Sequence, residues 1–322
     1  MDITEFRKRF EPYFIKKLAK LINRAKKISS SKEFNDVISH IEKLAQNGKR
    51  VRPYLINLSF QHRKLNKEII NQMIGVELLH LFALIHDDIM DGAKLRHGVK
   101  TINTIHKNSE LSKSYAMLAG DMVFNWSYEC FIENNSSTTS IKLFQSLIEE
   151  VIVGQAIDAT LPHKKTLNEI EIREKNLLKT ARYTFRRPLE IGFALGGKSI
   201  NKNYSRLGEN LGIIYQIDDD LLDIFGDEKK LNKKTFQDIE SKQATLISFY
   251  LRENRAFKKY FGKSLDSKER EHLKEIIKES GALEKIELER KIIISKTEKL
   301  ISKLENREIW LQLMHRITNR EK

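Results

Sequence analysis

The sequence predicts an all-α protein of one domain, and three observations support this prediction. Apolar residues recur at helical spacing through long stretches rich in Leu, Ile, Lys and Glu, whereas no convincing alternating run indicates a strand. Only 4 of the 322 residues are Pro and 14 are Gly, and no Pro-, Gly- or Ser-rich linker divides the chain. The hydrophobic fraction of 40% is sufficient for a substantial core.

The helical pattern predicts the elements in chain order. The expected helices cover residues 1–45, as one or two amphipathic helices, then 67–91, 112–134, 139–160 and 203–224. A basic turn, GKRVRP, separates the first two regions, and Gly92 and Gly98 mark the loop after the second. Pro162 and Pro188 punctuate the region that holds KTARYTFRRP. The lysine-rich loop GDEKKLNKKTFQDIESKQAT follows the helix at 203–224, and strongly charged helix makes up the remainder.

Composition and charge indicate the compartment. The single cysteine, Cys130, excludes an intramolecular disulfide and fits a reducing environment. The first residues, MDITEFRKRFEPYF, carry charges where a signal peptide requires an apolar region. Glu77 and His80 interrupt the most apolar stretch, which therefore predicts a core helix rather than a membrane span. We expect a cytoplasmic protein without stable membrane insertion.

The net charge of +14 favours anionic partners. The sequence shows no basic patch interleaved with aromatic residues, no zinc-ligand spacing and no recognised nucleic-acid motif. A small phosphorylated substrate accounts for the sign of the charge equally well. We therefore expect small-molecule substrates and no nucleic acid partner.

A hydrophobic helix that ends in DDxxD occurs twice, at 87–91 and at 219–223. Aspartates three and four residues apart share one helix face, and the negative C-terminal end of a helix dipole favours a cation there. Oxygen-only ligands suit Mg²⁺, which also binds phosphate. Facing helices of a bundle would bring the two sets together as a cage for several Mg²⁺ ions and a diphosphate. The predicted metal ligands are Asp87, Asp88, Asp91, Asp219, Asp220 and Asp223.

Asp218 is an additional acid beside the second set. Only the register that begins at Asp219 places another aspartate four residues later. The second DDxxD motif is therefore taken to begin at Asp219.

Cationic residues accompany the aspartates. Lys49, Arg50 and Arg52 crowd the basic turn, Arg96 follows the first acidic set by five residues, and Lys179 precedes Thr180. Arginine makes bidentate contacts with phosphate, and lysine supplies a compact positive charge. The arrangement predicts a diphosphate-binding site.

At this point several motifs, in order, resemble the trans-isoprenyl diphosphate synthases, or polyprenyl synthetases. GKRVRP resembles the family's GGKRxRP, with Asn47 in place of the first glycine, and ELLHLFALIHDDIMD looks like its first aspartate-rich motif. AGD at 119–121 and GQAID at 154–158 follow, and GQAID resembles GQxxD. KT at 179–180 resembles the KT motif, and YQIDDDLLD resembles the second aspartate-rich motif. The resemblance runs from about Gly48 to Thr245.

The resemblance implies the isoprenoid synthase fold, a bundle of long helices around a deep central cavity, as a homodimer. It implies an enzyme that joins isopentenyl diphosphate to dimethylallyl, geranyl or farnesyl diphosphate, with three Mg²⁺ ions per active site. By resemblance Asp87, Asp91 and Asp219 bind Mg²⁺ directly, and the other three aspartates complete the clusters. The residues to which it gives a catalytic role are Asp87, Asp88, Asp91, Lys179, Thr180, Gln216 and Asp219.

The resemblance also implies substrate ligands. Arg96, Lys179 and Lys234 hold the allylic diphosphate, and Thr180 and Gln216 lie near the reacting carbons. The expected ligands of isopentenyl diphosphate are Lys49, Arg52 and His80, together with Arg50 of the same turn and His97.

Three positions depart from the family's pattern. The paired arginines after the first motif appear as Arg96 and His97, so that a titrating group replaces a permanent charge. The second lysine of the lysine-rich loop falls at Gln243, with Lys242 one place early, and Phe236 occupies a position usually held by glycine.

Three alternative interpretations stay open. A terpene cyclase shares the fold, although cyclases generally lack two equivalent DDxxD clusters and the GKRxRP turn. A non-catalytic or weakly active subunit of a heteromeric prenyl synthase is compatible with His97 and Gln243. A helical nucleic-acid-binding protein is the third.

The residues before the first aspartates predict the product length. Phe82 lies five residues before Asp87, about 7.5 Å lower along the helix, and Ala83 leaves the level above it open. An aromatic at only this farther position, without an insertion in the motif, resembles archaeal-type geranylgeranyl diphosphate synthases. We therefore expect a mainly twenty-carbon product, with farnesyl or longer products as the alternative and Leu79 as the alternative floor.

Overall fold

The structure is a computed structural model, and it describes residues 1–46, 48–61, 64–96, 98–133, 136–228 and 234–319. It confirms the all-α prediction, since helices form almost all of the regular structure described. Two short strands, β1 (Leu95–Arg96) and β2 (Val99–Lys100), pair antiparallel in the loop after the first aspartates. No helix in these ranges is both long and apolar enough to cross a lipid bilayer.

The chain forms two compact units, each assembled from two stretches of sequence. Unit 1 comprises Met1–Gln145 with Pro188–Ser199, and unit 2 comprises Ser146–Arg187 with Ile200–Lys322. The prediction of a single domain stays a prediction.

The helices of the first half of the chain match the predicted pattern closely. They are α1 (Ile3–Lys26), α2 (Lys32–Ala45), α3 (Val51–Gln61), α4 (Ile70–Met90), a 3₁₀ turn (Ile102–Thr104), α5 (Ser109–Ile132) and α6 (Thr138–Thr160), whose last part belongs to unit 2. The predicted region 1–45 is thus two helices, and α3 is an element that the helical pattern did not predict.

The later part of the chain contains two helices of 24 and 20 residues among shorter ones. After a 3₁₀ turn (Leu161–His163) come α7 (Glu169–Lys175), a π-helical segment (Asn176–Arg186), α8 (Arg187–Leu195), α9 (Lys202–Phe225), α10 (Gln237–Glu240), α11 (Leu246–Tyr250), α12 (Arg255–Tyr260), α13 (Ser267–Glu279), α14 (Ala282–Ile301) and α15 (Arg307–Thr318). Pro188 does not interrupt the helix as expected, because α8 continues directly from the π-helical segment, with Arg187 at the junction in the αR conformation.

Two close helix approaches position the aspartate-rich motifs. In unit 1, a Cβ on Gly75 of α4 would lie 2.8 Å from the Ser127 carbonyl oxygen and 2.9 Å from the Phe131 nitrogen, so α4 packs directly against the backbone of α5. In unit 2, a Cβ on Gly212 of α9 would lie 2.3 Å from the Ala181 Cα. Only glycine permits such contacts, and they fix the two aspartate-bearing helices against their neighbours.

Candidate active site

The first aspartate-rich cluster lies at the C-terminal end of α4. Asp87 and Asp88 belong to the last turn, and Asp91 is the C-cap, whose backbone N–H donates to the Asp87 carbonyl at 2.9 Å. Gly92 follows with φ +62°, the left-handed conformation that commonly ends a helix. The carboxylates therefore stand where the helix dipole is negative.

Arg96 lies directly on these carboxylates. From β1 its Nη2 approaches Asp88 Oδ1 at 2.7 Å and its Nε donates to the same oxygen at 2.9 Å, while Asp87 Oδ2 is 3.7 Å from Nη2. Asp88 is only 2% exposed. An arginine already occupies the space beside two predicted metal ligands, so this end of α4 accommodates positive charge.

The basic turn separates its three cations by environment. Lys49 is exposed and Arg52 is half-buried, whereas Arg50 is 3% exposed with φ +53°. Arg50 donates to Glu11 Oε1 at 2.7 Å, to Glu77 Oε1 at 2.8 Å and to a backbone carbonyl. Burial alone would lower the pKa of Arg50, but the two carboxylates raise it. Arg50 thus joins α1, the turn and α4.

This pairing gives Arg50 a role in stability. We expect Arg50→Met to lower the free energy of unfolding by about 3–5 kcal/mol, because it leaves the buried Glu77 and the half-buried Glu11 without their cation. Urea denaturation measures the effect, with Arg9→Met as the control, since Arg9 makes an exposed pair with Glu5. An Arg50→Met variant as stable as Arg9→Met would exclude this role.

The residues before Asp87 form an aromatic cluster. The Phe82 ring centroid lies 4.6 Å from that of His86 and 5.1 Å from that of Phe124 on α5. Phe82 and Ala83 are half-buried, and Leu79 is fully buried. Phe82 is therefore the bulky, accessible member of the predicted floor residues.

The AGD motif has a structural explanation in the same region. A Cβ on Gly120 would lie 2.2 Å from His86 Nε2, so only glycine leaves room for this ring. Asp121 Oδ1 stands 3.7 Å from the same nitrogen. His80, the histidine of α4 that was predicted to bind isopentenyl diphosphate, is half-buried. His97 lies outside the residues that the structure describes.

The second aspartate-rich cluster lies near the end of α9 in unit 2. Asp220 is 6% exposed and accepts a hydrogen bond from Gln216 Nε2 at 2.7 Å, and Thr180 donates to Gln216 Oε1 at 2.6 Å. The pKa of Asp220 is raised to about 7, chiefly by burial and also by the negative charges of Asp219 and Asp223, while Lys175 and the hydrogen bond from Gln216 oppose the shift. The structure thus brings the predicted residues Thr180 and Gln216 together with this cluster.

Asp158 of the GQAID motif lies beside two lysines. Its Oδ2 accepts from Lys179 Nζ at 2.5 Å, and its Oδ1 is 3.2 Å from Lys175 Nζ. Burial raises the pKa of Asp158, but the two ammonium groups outweigh it and the net shift is downward. Sequence reasoning missed Lys175 altogether. Its position one helical turn before Lys179 was the available signal.

Asp223 holds the segment after the lysine-rich loop. Its two carboxylate oxygens accept from the backbone N–H groups of Gln237 and Asp238 at 3.2 and 3.0 Å. Phe236 has φ +62°, which explains why glycine is usual there, and its ring is fully buried. Core packing of the ring compensates for an unfavourable backbone. Lys234 is exposed, and residues 229–233 lie outside the described ranges.

Asp218 faces a different partner from its neighbours. Its carboxylate accepts from Arg290 Nε at 2.5 Å and Nη2 at 3.1 Å, and Arg290 Nη2 also donates to the Thr318 carbonyl at 2.9 Å. Asp218 therefore links α9 to α14 and to the end of α15.

We expect Asp218→Asn to lower the free energy of unfolding by about 3 kcal/mol, because it leaves the Arg290 charge poorly compensated. Its Mg²⁺ requirement should match that of the wild type. Urea denaturation and a Mg²⁺ titration measure the two quantities, with Asp36→Asn on the exposed face of α2 as the control. A large shift in the Mg²⁺ midpoint would place Asp218 among the metal ligands instead.

The donor set of both clusters fits Mg²⁺. The acidic ligands offer oxygen atoms only, which this hard cation prefers, and Arg96 already compensates part of the negative charge of the first cluster. Within the described ranges, no group of three or more acidic, histidine or cysteine side chains is already arranged to hold a metal ion.

Comparison with known proteins finds the family that the motifs of the sequence resemble. A family model described as polyprenyl synthetase matches residues 31–280. The chain is 32% identical to the geranylgeranyl diphosphate synthase of Saccharolobus solfataricus over 213 residues, 62% of this chain and 61% of that protein. It is also 32% identical to the geranylgeranyl pyrophosphate synthase of Geoglobus acetivorans over 233 residues, 70% and 71% of the two chains. The aligned stretch spans about three fifths of the first of these relatives.

Solved structures share the fold. A geranylgeranyl pyrophosphate synthase from Corynebacterium glutamicum, complexed with isoprenyl diphosphate and magnesium, superposes with a TM-score of 0.85 at 23% identity and covers 100% of both chains. A geranylgeranyl pyrophosphate synthetase from Pyrococcus horikoshii gives a TM-score of 0.75 at 27% identity, with 98% of this chain and 100% of that chain covered. The chain thus has the all-α fold of these proteins.

Proposed function

Because the chain belongs to the polyprenyl synthetase family, we propose that it joins isopentenyl diphosphate to an allylic diphosphate and releases diphosphate. The allylic substrate is dimethylallyl, geranyl or farnesyl diphosphate, and the main product is geranylgeranyl diphosphate. One observation carries the proposal. Both aspartate-rich motifs lie near the C-terminal ends of helices with many buried residues. Arg96 lies beside the first motif, on Asp88, and in unit 2, which holds the second motif, Lys179 lies on Asp158.

We assign the metal to the two clusters. Asp87, Asp91 and Asp219 are the proposed direct ligands of three Mg²⁺ ions, and the more deeply buried Asp88, Asp220 and Asp223 complete the negative charge. When bound, Mg²⁺ supplies the positive charge that stabilises the departing diphosphate.

The cationic side chains divide between the two substrates. We assign Arg96, Lys179 and Lys234 to the allylic diphosphate, as the family resemblance implies. Arg96 already lies on Asp88, a carboxylate of the proposed metal site, and Lys179 lies on Asp158. The proposed ligands of isopentenyl diphosphate are those that the family resemblance implies: Lys49, Arg52, His80 and His97. We omit Arg50, because its guanidinium is buried and bound to Glu11 and Glu77.

The reaction needs a strongly stabilised leaving group in a dry site. The allylic C–O bond breaks and its electron pair leaves with diphosphate, where the lysine and arginine donors hold the negative charge. The double bond of isopentenyl diphosphate attacks the resulting carbocation and forms the new C–C bond, and a proton passes to the diphosphate. We place Thr180 and Gln216 near the reacting carbons, and their side chains are hydrogen-bonded to each other. The apolar residues of α4 exclude the water that would trap the cation.

We also propose that the enzyme is a homodimer. Leu111, Leu118 and Ile132 recur at multiples of seven residues on α5, and their exposed fractions are 43, 59 and 47%. These exposed apolar side chains on one helix support a protein interface, although the exposed Asn125 separates Ile132 from the other two. Sedimentation equilibrium tests this proposal, and a monomer at micromolar concentration would contradict it.

Diphosphate release by the purified chain tests the proposed reaction against its alternatives. We expect release only when isopentenyl diphosphate, an allylic diphosphate and Mg²⁺ are all present. A terpene cyclase would release diphosphate from the allylic substrate alone. Absence of release under every combination, with restoration by a second subunit, would identify a non-catalytic partner.

A further inference from the structure

Lys175 is a buried lysine to which sequence reasoning gave no role. It is the last residue of α7 and is 7% exposed. Its ammonium donates to the Ala244 carbonyl at 2.7 Å and lies 3.2 Å from Asp158 Oδ1. Burying an ammonium group costs free energy unless it has such partners, and these two contacts compensate the Lys175 charge.

Asp158 is shared between two lysines of different exposure. Lys175 takes one carboxylate oxygen, and Lys179, whose side chain is 29% exposed, takes the other. If Lys179 leaves Asp158 for a diphosphate, Lys175 still compensates the buried carboxylate. Lys175 thereby lowers the free energy needed to release Lys179.

The backbone contact of Lys175 lies next to the departure at Gln243. Gln243 is neutral, and its carbonyl accepts from Ser248 Oγ at 3.1 Å. The Lys175 ammonium binds the carbonyl of the following residue, Ala244. Beside Gln243 and Ala244, the positive charge therefore comes from Lys175 of α7, whereas the family's pattern has a lysine at position 243 of the lysine-rich loop.

We propose that Lys175 is a positioning residue of the unit 2 site, whose buried ammonium keeps Asp158 compensated and so frees Lys179 to bind diphosphate. The inference rests on the proposed function, since it takes the ligand to be a diphosphate. Lys175 itself stays on Asp158 and Ala244 and makes no contact with substrate.

Titration calorimetry with inorganic diphosphate at fixed Mg²⁺ tests this without any turnover. We expect Lys175→Met to weaken diphosphate binding on the order of tenfold, because one nearby charge is lost and Lys179 stays on Asp158. Lys175→Arg, which keeps the charge, should restore most of the affinity. Lys164→Met is the matched control, since Lys164 makes a more exposed ion pair with Glu171 in the same unit.

The outcomes separate the two proposals. If the wild type itself binds no diphosphate with Mg²⁺, the proposed function is contradicted. If the wild type binds and Lys175→Met binds equally well, the role of Lys175 is overturned. Should Lys175→Met unfold in a thermal melt, Lys175→Gln decides in its place: affinity equal to that of Lys175→Arg would overturn the proposal, and weaker binding supports it.

Discussion

Asp87→Ala and Asp219→Ala are each expected to reduce turnover to less than about a tenth of the wild-type rate, a loss of more than about 1.4 kcal/mol of transition-state stabilisation. Each change removes a proposed Mg²⁺ ligand from the site where negative charge develops on the leaving diphosphate. The initial rate of isopentenyl diphosphate consumption at saturating Mg²⁺ measures this loss.

The fold should survive both substitutions. Removing one of several neighbouring carboxylates relieves repulsion, so the melting temperature of the metal-free protein should not fall. Asp36→Ala, at an exposed position of α2, is the control for loss of an aspartate. A folded variant of Asp87 or Asp219 with more than about a tenth of the wild-type rate would remove that residue from the proposed metal ligands.

Phe82→Ala is expected to lengthen the product, and Ala83→Phe is expected to shorten it. Phe82 is half-buried against Phe124 and lies about 7.5 Å below Asp87 along α4, so its ring limits the space available to a growing chain. Ala83 is nearer the aspartates, and a phenylalanine there would close the space earlier. Chromatography of the dephosphorylated products measures the distribution of chain lengths.

Leu79→Ala provides the comparison for this pair, since Leu79 lies deeper and is fully buried. The substitution costs about 2–5 kcal/mol of stability as a core truncation, but it should leave the product length unchanged while Phe82 is present. A longer product from Leu79→Ala, with no change from Phe82→Ala, would identify Leu79 as the floor.

The long helices were predictable because their apolar residues repeat without interruption. The helix expected at 67–91 is α4 (Ile70–Met90), and that expected at 203–224 is α9 (Lys202–Phe225). Helix α3 was missed because the basic turn and Pro53 precede its apolar residues, although proline is compatible with the first turn of a helix.

The candidate site was predictable where its residues lie in short motifs. The partners of buried charges were not, because they are distant in sequence: Glu11 and Glu77 lie 39 and 27 residues from Arg50. Lys175 was missed for the same reason, since its site includes the Ala244 carbonyl, 69 residues away. Phe236 was predictable, by contrast. The family resemblance indicated that glycine is usual at this position, and the structure gives Phe236 the positive φ that favours glycine.

Incorporation of labelled isopentenyl diphosphate by the purified chain tests the proposed activity most directly. With an allylic diphosphate and Mg²⁺, we predict a labelled prenyl diphosphate of mainly twenty carbons, which is absent when the metal is chelated. Failure to extend dimethylallyl, geranyl and farnesyl diphosphates, by a folded protein at saturating Mg²⁺, would contradict the assignment of this chain as a prenyl-transferring enzyme.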